Sequence, residues 1–163
     1  MLHIRPLNDA DVASIKCWPP YPGDMEQMDY ALRETGWLEE FRSKPDAHLF
    51  AADLGHDLIA FTILAGTGVA GAEFRIALRP DKTGLGLGKD ITVRTLAIGF
   101  EQLGFARIHL VVRKNNIRGI RLYHRIGFTD QGECRKEIQG KLVDFWRMEI
   151  GHEEFSRLPA GTL

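Results

Sequence analysis

One short run constrains this chain more than any other: Pro80-Asp81-Lys82-Thr83-Gly84-Leu85-Gly86-Leu87-Gly88-Lys89. A strand-like alternation precedes it and a helical pattern follows it. The run therefore predicts a side-chain-poor turn at the positive end of a helix dipole. Such a turn can aim several backbone N–H groups at one anion, and phosphate is the usual guest. Two familiar phosphate loops do not fit. A nucleotide P-loop ends Gly-Lys-Ser/Thr, but Gly88-Lys89 is followed by Asp90, and Thr83 stands where its first glycine should fall. The dinucleotide pattern G-x-G-x-x-G fails at Lys89 when started from Gly84 and at Ile91 when started from Gly86.

Composition narrows the remaining classes. The chain has 163 residues, which suggests one domain, spanning residues 1–163. Its net charge of −1 gives no basic field for nucleic acid. No apolar run approaches the roughly 20 residues that span a bilayer, and the strand-like opening Met1-Leu-His-Ile-Arg-Pro does not read as a signal peptide. Cys17 and Cys134 are too isolated for a disulfide framework or a zinc site, which fits a reduced, cytoplasmic setting. The six histidines lack metal-binding spacing and read as surface or packing residues, so no metal is expected.

Along the chain, Leu2 to Pro6 reads as a strand, followed by a helix to about Lys16 capped by Asp9 or Asp11. Trp18-Pro-Pro-Tyr-Pro-Gly23 is a loop, because its prolines remove donors and fix φ. A helical pattern runs from Asp24 to about Ser43, with Gly36 as a point of division. His48–Ala52 and Leu58–Leu64 flank Leu54-Gly-His-Asp57 as a hairpin. From Glu73 to Arg79, Phe74, Ile76 and Leu78 face one way and Glu73, Arg75 and Ala77 the other. Val93, Leu96, Ala97, Phe100 and Leu103 form a helical stripe that stops at Gly104. Arg107–Val112 is a strand, Ile117–Ile126 a helix closed by Gly127, and Glu133–Ile138 with Leu142–Ile150 a last hairpin. The strand–helix–strand crossover from Glu73 to Val112 implies one parallel pair in an otherwise antiparallel sheet.

A second motif lies downstream, Asn116-Ile-Arg-Gly-Ile-Arg-Leu-Tyr-His-Arg-Ile-Gly-Phe128. It resembles N-x-x-A-x-x-L-Y-x-x-x-G-F of the GNAT acetyltransferases, with Gly119 in place of alanine. The glycine run resembles that family's Arg/Gln-x-x-Gly-x-Gly motif, with Thr83 where the long donor is expected and Lys82 or Lys89 as substitutes. The resemblance is clearest from about Ala72 to Ile150 and points toward spermidine and ribosomal-protein N-terminal acetyltransferases. It implies an α/β (α+β) fold of the acyl-CoA N-acyltransferase type: a mixed, mostly antiparallel sheet of about seven strands with a splayed parallel pair, flanked by about four helices. It also implies acetyl-CoA as co-substrate and a small amine, polyamine or peptide N-terminus as acceptor. A homodimer stays open. The residues implied to hold the cofactor are Ile76, Ala77, Leu78, Thr83, Gly84, Leu85, Gly86, Leu87, Gly88, Lys89, Asn116, Gly119 and Tyr123.

Thioester aminolysis expels a thiolate, and a nearby phenol can protonate it; Tyr123 is placed in that role. The attacking amine must first lose a proton, for which Glu73 is the candidate base. An exposed carboxylate paired with Arg75 or Arg79 is the other reading of Glu73. Backbone N–H groups near Ala77 to Arg79 are expected to hold the thioester oxygen. Trp18, Tyr21, Asp24 and Glu26 are candidates for the acceptor's binding surface, with an ordinary core under the loop as the alternative for the aromatics. A non-catalytic acyl-CoA-binding sensor is the rival function.

Overall fold

The computed structural model describes residues 1–23, 31–32 and 36–159. Its strands, in chain order, are β1 (Leu2–Pro6), β2 (Ala47–Leu54), β3 (Asp57–Gly66), β4 (Gly71–Leu78), β5 (Arg107–Arg113), β6 (Thr129–Ile138) and β7 (Lys141–Gly151). The helices are α1 (Asp9–Lys16), α2 (Trp37–Arg42), α3 (Leu87–Ala97), α4 (Ile117–Ile126) and α5 (His152–Ser156). Among the described residues the strands form one sheet in the order β1-β2-β3-β4-β5-β7-β6. The expected parallel pair is β4 with β5, in the register Gly71↔Arg107, Ala72↔Ile108 and Glu73↔His109. The backbone groups into two compact units, Met1–Gly66 with Phe74–Thr95, and Thr67–Glu73 with Leu96–Leu163.

In the first unit, α1 is capped by Asn8 rather than by Asp9 or Asp11. A cap residue must be extended, and Asn8 is, at φ −121 and ψ 176. Asn8 Oδ1 accepts the Asp11 N–H at 2.9 Å, and Asp11 Oδ2 accepts the Asn8 N–H at 2.9 Å, closing a capping box. Asp11 is thus the third helical residue, and its other duty is to Arg5. The guanidinium donates to both Asp11 oxygens at 2.7 and 2.8 Å. It also reaches Asp53 Oδ2 at 2.7 Å, so one side chain on β1 ties α1 to β2. The Arg5 hydrogen bonds to Asp11 hold its carboxyl below the ordinary range.

Strand β4 shows the predicted alternation. Ala77 is buried with Val12, Ile15, Trp37, Leu38, Phe61 and Ile63, and Arg75 lies over the Trp37 and Phe41 rings. Ile76 and Leu78 pack against Ile59, Ala60 and Ile91. Gly36 does stand at the start of a helix, α2, but residues 24–30 and 33–35 of the predicted 24–43 helix lie outside the described residues. Beyond α3 the helical stripe passes into a π turn, Ile98–Gln102, in which Leu103 N–H reaches back five residues to Ile98 O at 3.0 Å. The wider turn shifts the stripe, so Phe100 is buried while Leu103 is half-exposed.

In the second unit, α4 has the predicted bounds and closes on Gly127 at φ 118, whose N–H reaches Tyr123 O and His124 O at 3.1 Å. The β6–β7 turn uses Gln139 (φ 52) and Gly140 (φ 80), the left-handed pair that a two-residue hairpin requires. One sheet face buries Ala72, Ile108, Leu110, Met148 and Ile150. The opposite face carries Glu73, Arg107, His109, Arg147 and Glu149.

Replacing Arg5 by Met leaves the Asp11 carboxylate, whose side chain is 8% exposed, without its cation. The expected loss is about 2 kcal/mol, below the fully buried case because Arg5 is itself partly solvated. Because the Asp11 pKa is depressed in the fold, its contribution is full above the unfolded value near 4 and is lost as pH falls through the lower folded value. Urea titrations at neutral and acid pH should show the Arg5→Met deficit shrinking below about pH 4. A deficit that is constant with pH would contradict this assignment.

Candidate active site

The glycine turn lies in the first unit. A short 3₁₀ helix, Pro80–Lys82, leads into it, and the Thr83 hydroxyl donates to Pro80 O at 3.1 Å. Thr83 therefore fastens the turn with the hydroxyl that replaces the family's long donor. Gly84 (φ 76) and Gly86 (φ 82) take left-handed conformations that a side chain would strain. Gly84, Leu85 and Gly86 are exposed, and a Cβ built on Gly86 would meet nothing within 4 Å. The turn is open, and α3 begins at once with Leu87. The first N–H groups of that helix have no acceptor inside it, so they are available to an anion. Lys82 and Lys89 flank them, half-exposed. Arg79 is committed elsewhere: its guanidinium holds Asp81 at 2.6 Å and Leu58 O at 3.2 Å.

Ile76, Ala77 and Leu78 enter this turn from β4, and their side chains are spent in the two apolar clusters. The expectation of unpaired N–H groups up to Arg79 fails at its last member. Arg79 N–H donates to Ile59 O at 2.7 Å, because β3 still borders the chain there. Tyr21 donates its hydroxyl to Leu78 O. The Tyr21 ring is buried, as is Trp18, and both belong to the cluster of Phe61 and Trp37. Their side chains serve as core under the loop and offer little surface to an acceptor. Asp24 and Glu26 lie outside the described residues.

In the second unit, Asn116 caps α4. Its Oδ1 accepts the Gly119 N–H at 3.0 Å, a structural duty not anticipated from the motif alone. A Cβ at Gly119 would come within 2.6 Å of Asn116 Nδ2, so the missing methyl makes room for the cap as it stands. Two turns on, Tyr123 is 8% exposed, with its ring edge-on to Phe128 at 5.7 Å. Burial pushes its phenol up to about 12. At neutral pH it is therefore fully protonated, the state an acid needs.

Glu73 stands beside His109 in the β4–β5 register, with a side chain 13% exposed. His109 Nε2 is 3.5 Å from its Oε2, and Lys136 Nζ is 3.8 Å from the same oxygen. Sequence reasoning overlooked both partners. The available signal was a lone imidazole inside the apolar run Ile108-His-Leu-Val-Val112, at a spacing that turns it away from the core. Lys136 had none, since only the β5-β7-β6 order brings β6 near.

Comparison with known proteins identifies the family. Residues 11–128 match the acetyltransferase (GNAT) family. The chain is 31% identical over 97 residues to spermidine N(1)-acetyltransferase of Escherichia coli (strain K12), a match covering 56% of this chain and 52% of that one. It is 30% identical over 114 residues to a mycothiol acetyltransferase of Actinosynnema mirum, covering 69% and 36%. The chain thus spans about half, or less, of the length of these curated relatives. In fold it is similar to the crystal structure of a Vibrio cholerae spermidine N-acetyltransferase in complex with CoA and spermine, with a TM-score of 0.79 at 24% identity over 96% of this chain and 98% of that one. The glycine turn and the Asn116–Tyr123 helix both fall inside the matched segment, and the chain belongs to the acetyltransferase (GNAT) family.

Proposed function

We propose that this chain transfers the acetyl group of acetyl-CoA directly to a primary amine, both substrates being bound at once. The observation that carries the reading is the open Gly84–Gly88 turn at the start of α3, built from glycines where a pyrophosphate needs close approach to backbone N–H groups. Lys82 and Lys89 supply the positive charge that Thr83 does not. In the reaction, Glu73 takes a proton from the ammonium form of the acceptor. The freed amine attacks the thioester carbon, the C–N bond forms, the nitrogen gives its second proton to water and the C–S bond breaks. Tyr123 gives its phenolic proton to the leaving sulfur and is reprotonated from solvent. No enzyme-bound acyl group is required, and much of the acceleration comes from holding two substrates in register.

The acceptor is a cationic amine. Similarity to spermidine N(1)-acetyltransferase favours a polyamine. Against it stand Pro19, Pro20 and Pro22 around a buried Tyr21, where the polyamine enzymes carry glutamates next to their Pro-Tyr. A small amine or a peptide N-terminus fits the same chemistry. A panel of polyamines, aminoglycosides, amino acids and short peptides, read by thiol release from acetyl-CoA, decides between them. Tight acetyl-CoA binding with no release across the panel would instead support the sensor reading.

Tyr123→Phe should lower kcat by about 100-fold while calorimetry shows acetyl-CoA binding retained. An unchanged kcat removes Tyr123 from the acid role. Because the phenol is held near 12, the rate should rise with pH as the amine deprotonates. It should show no fall from loss of this acid until above about pH 11. Gly86→Val places a β-branched residue at φ 82 and narrows the turn. It should weaken acetyl-CoA binding by at least about tenfold, seen as a raised Kd, with the fold intact by circular dichroism.

A further inference from the structure

We infer that His109 is a relay residue acting through Glu73, receiving the proton that Glu73 takes from the acceptor amine and passing it to solvent. This deepens the proposed amine acetylation and rests on it. The argument begins with register. The β4–β5 pairing sets Glu73 beside His109, and the β5–β7 pairing sets His109 beside Glu149. One imidazole thus stands in a row between two carboxylates, on the sheet face opposite the apolar core. It is buried, and its Nε2 is 3.5 Å from Glu73 Oε2. The same ring lines a cavity of about 230 Å³ together with Thr67, Gly71, Arg107, Arg147 and Glu149. His109 therefore touches both the enclosed carboxylate and a space large enough for several waters.

A base used in every turnover must be emptied in every turnover. His109 lines the cavity and Glu73 does not, so the imidazole stands between the enclosed carboxylate and the water there. Imidazole is the side chain that both accepts and releases a proton readily near neutral pH. Charged groups near the pair include Lys136 from β6, 3.8 Å from Glu73; Arg107 from β5; and Arg147 with Glu149 from β7, themselves 3.9 Å apart. The proton balance closes. The ammonium gives H⁺ to the Glu73 carboxylate, and the resulting acid gives it to Nε2 of neutral His109. The imidazolium then releases the proton on its other nitrogen to cavity water, and exchange with that water returns the ring from the Nε2–H to the Nδ1–H tautomer, so both groups regain their starting states.

The test uses the full chain, acetyl-CoA and the amine giving fastest thiol release in the panel above. Its variants are His109→Ala, His109→Gln and Glu73→Gln, each first shown to bind acetyl-CoA by calorimetry. Expected are a kcat at least about tenfold lower in both His109 variants, an acetyl-CoA KM within about twofold of the parent, and recovery of His109→Ala by added imidazole. Recovery should follow the free-base fraction of imidazole as pH is varied, which a merely structural role would not produce. If Glu73→Gln is slow but both His109 variants keep the parent kcat and pH profile, the relay is overturned and the base reading stands. Slow His109 variants that imidazole leaves unchanged also overturn it, assigning His109 to packing. If Glu73→Gln runs at full rate, the base reading falls and the relay falls with it. Should His109→Ala fail to bind acetyl-CoA, the pH profile of His109→Gln decides: an unshifted profile at parent kcat overturns the relay.

Discussion

The parallel ladder between β4 and β5 is the constraint on which the rest depends. A parallel pair cannot be closed by a tight turn; it demands a crossover, and here the crossover is α3. That demand explains why a glycine turn and a helix N-terminus follow β4 directly. The same ladder fixes which side chains stand abreast. Shifted by one residue, Glu73 would face the apolar side with Ala72 and Ile108, where a carboxylate cannot be solvated. In the observed register it lies on the polar face, beside His109 and within reach of Lys136.

Two further devices fix helix ends, one in each unit. Arg5 binds Asp11 and Asp53 together, which anchors the first helix to the edge of the sheet. Asn116 closes the first turn of α4 and so sets where Tyr123 falls two turns later. In both cases a polar group fixes a helix end, and buried apolar side chains supply the bulk of the packing. The Thr62–Thr95 hydroxyl pair at 3.1 Å follows the same logic inside the core, where Thr95 also donates to Ile91 O.

Much of this was legible in the residues. The β5 and α4 bounds, both hairpins and the faces of β4 follow from periodicity and turn chemistry, because those signals are local. The glycine turn and the Asn116–Phe128 motif identified the family for the same reason. What failed depended on competition between neighbours. Asp9, Asn8 and Asp11 can all cap a helix, and the reciprocal Asn8–Asp11 bonds decide which does, with Arg5 holding Asp11 from the other side. The partners of Glu73 depend on strand order, which no local pattern in β6 announces. Tyr21 reads as a loop aromatic, yet its hydroxyl satisfies a β4 carbonyl and its ring completes a core.

The π turn at Ile98–Gln102 has a consequence for length. A widened turn takes up one surplus residue at the end of the helix, so Gly99 and Phe100 stay buried while the stripe beyond them is offset. Removing that surplus would restore ordinary winding without altering what precedes it. The segment between α3 and β5 is thus where this fold can lose or gain a single amino acid while the glycine turn, many residues upstream, keeps its shape.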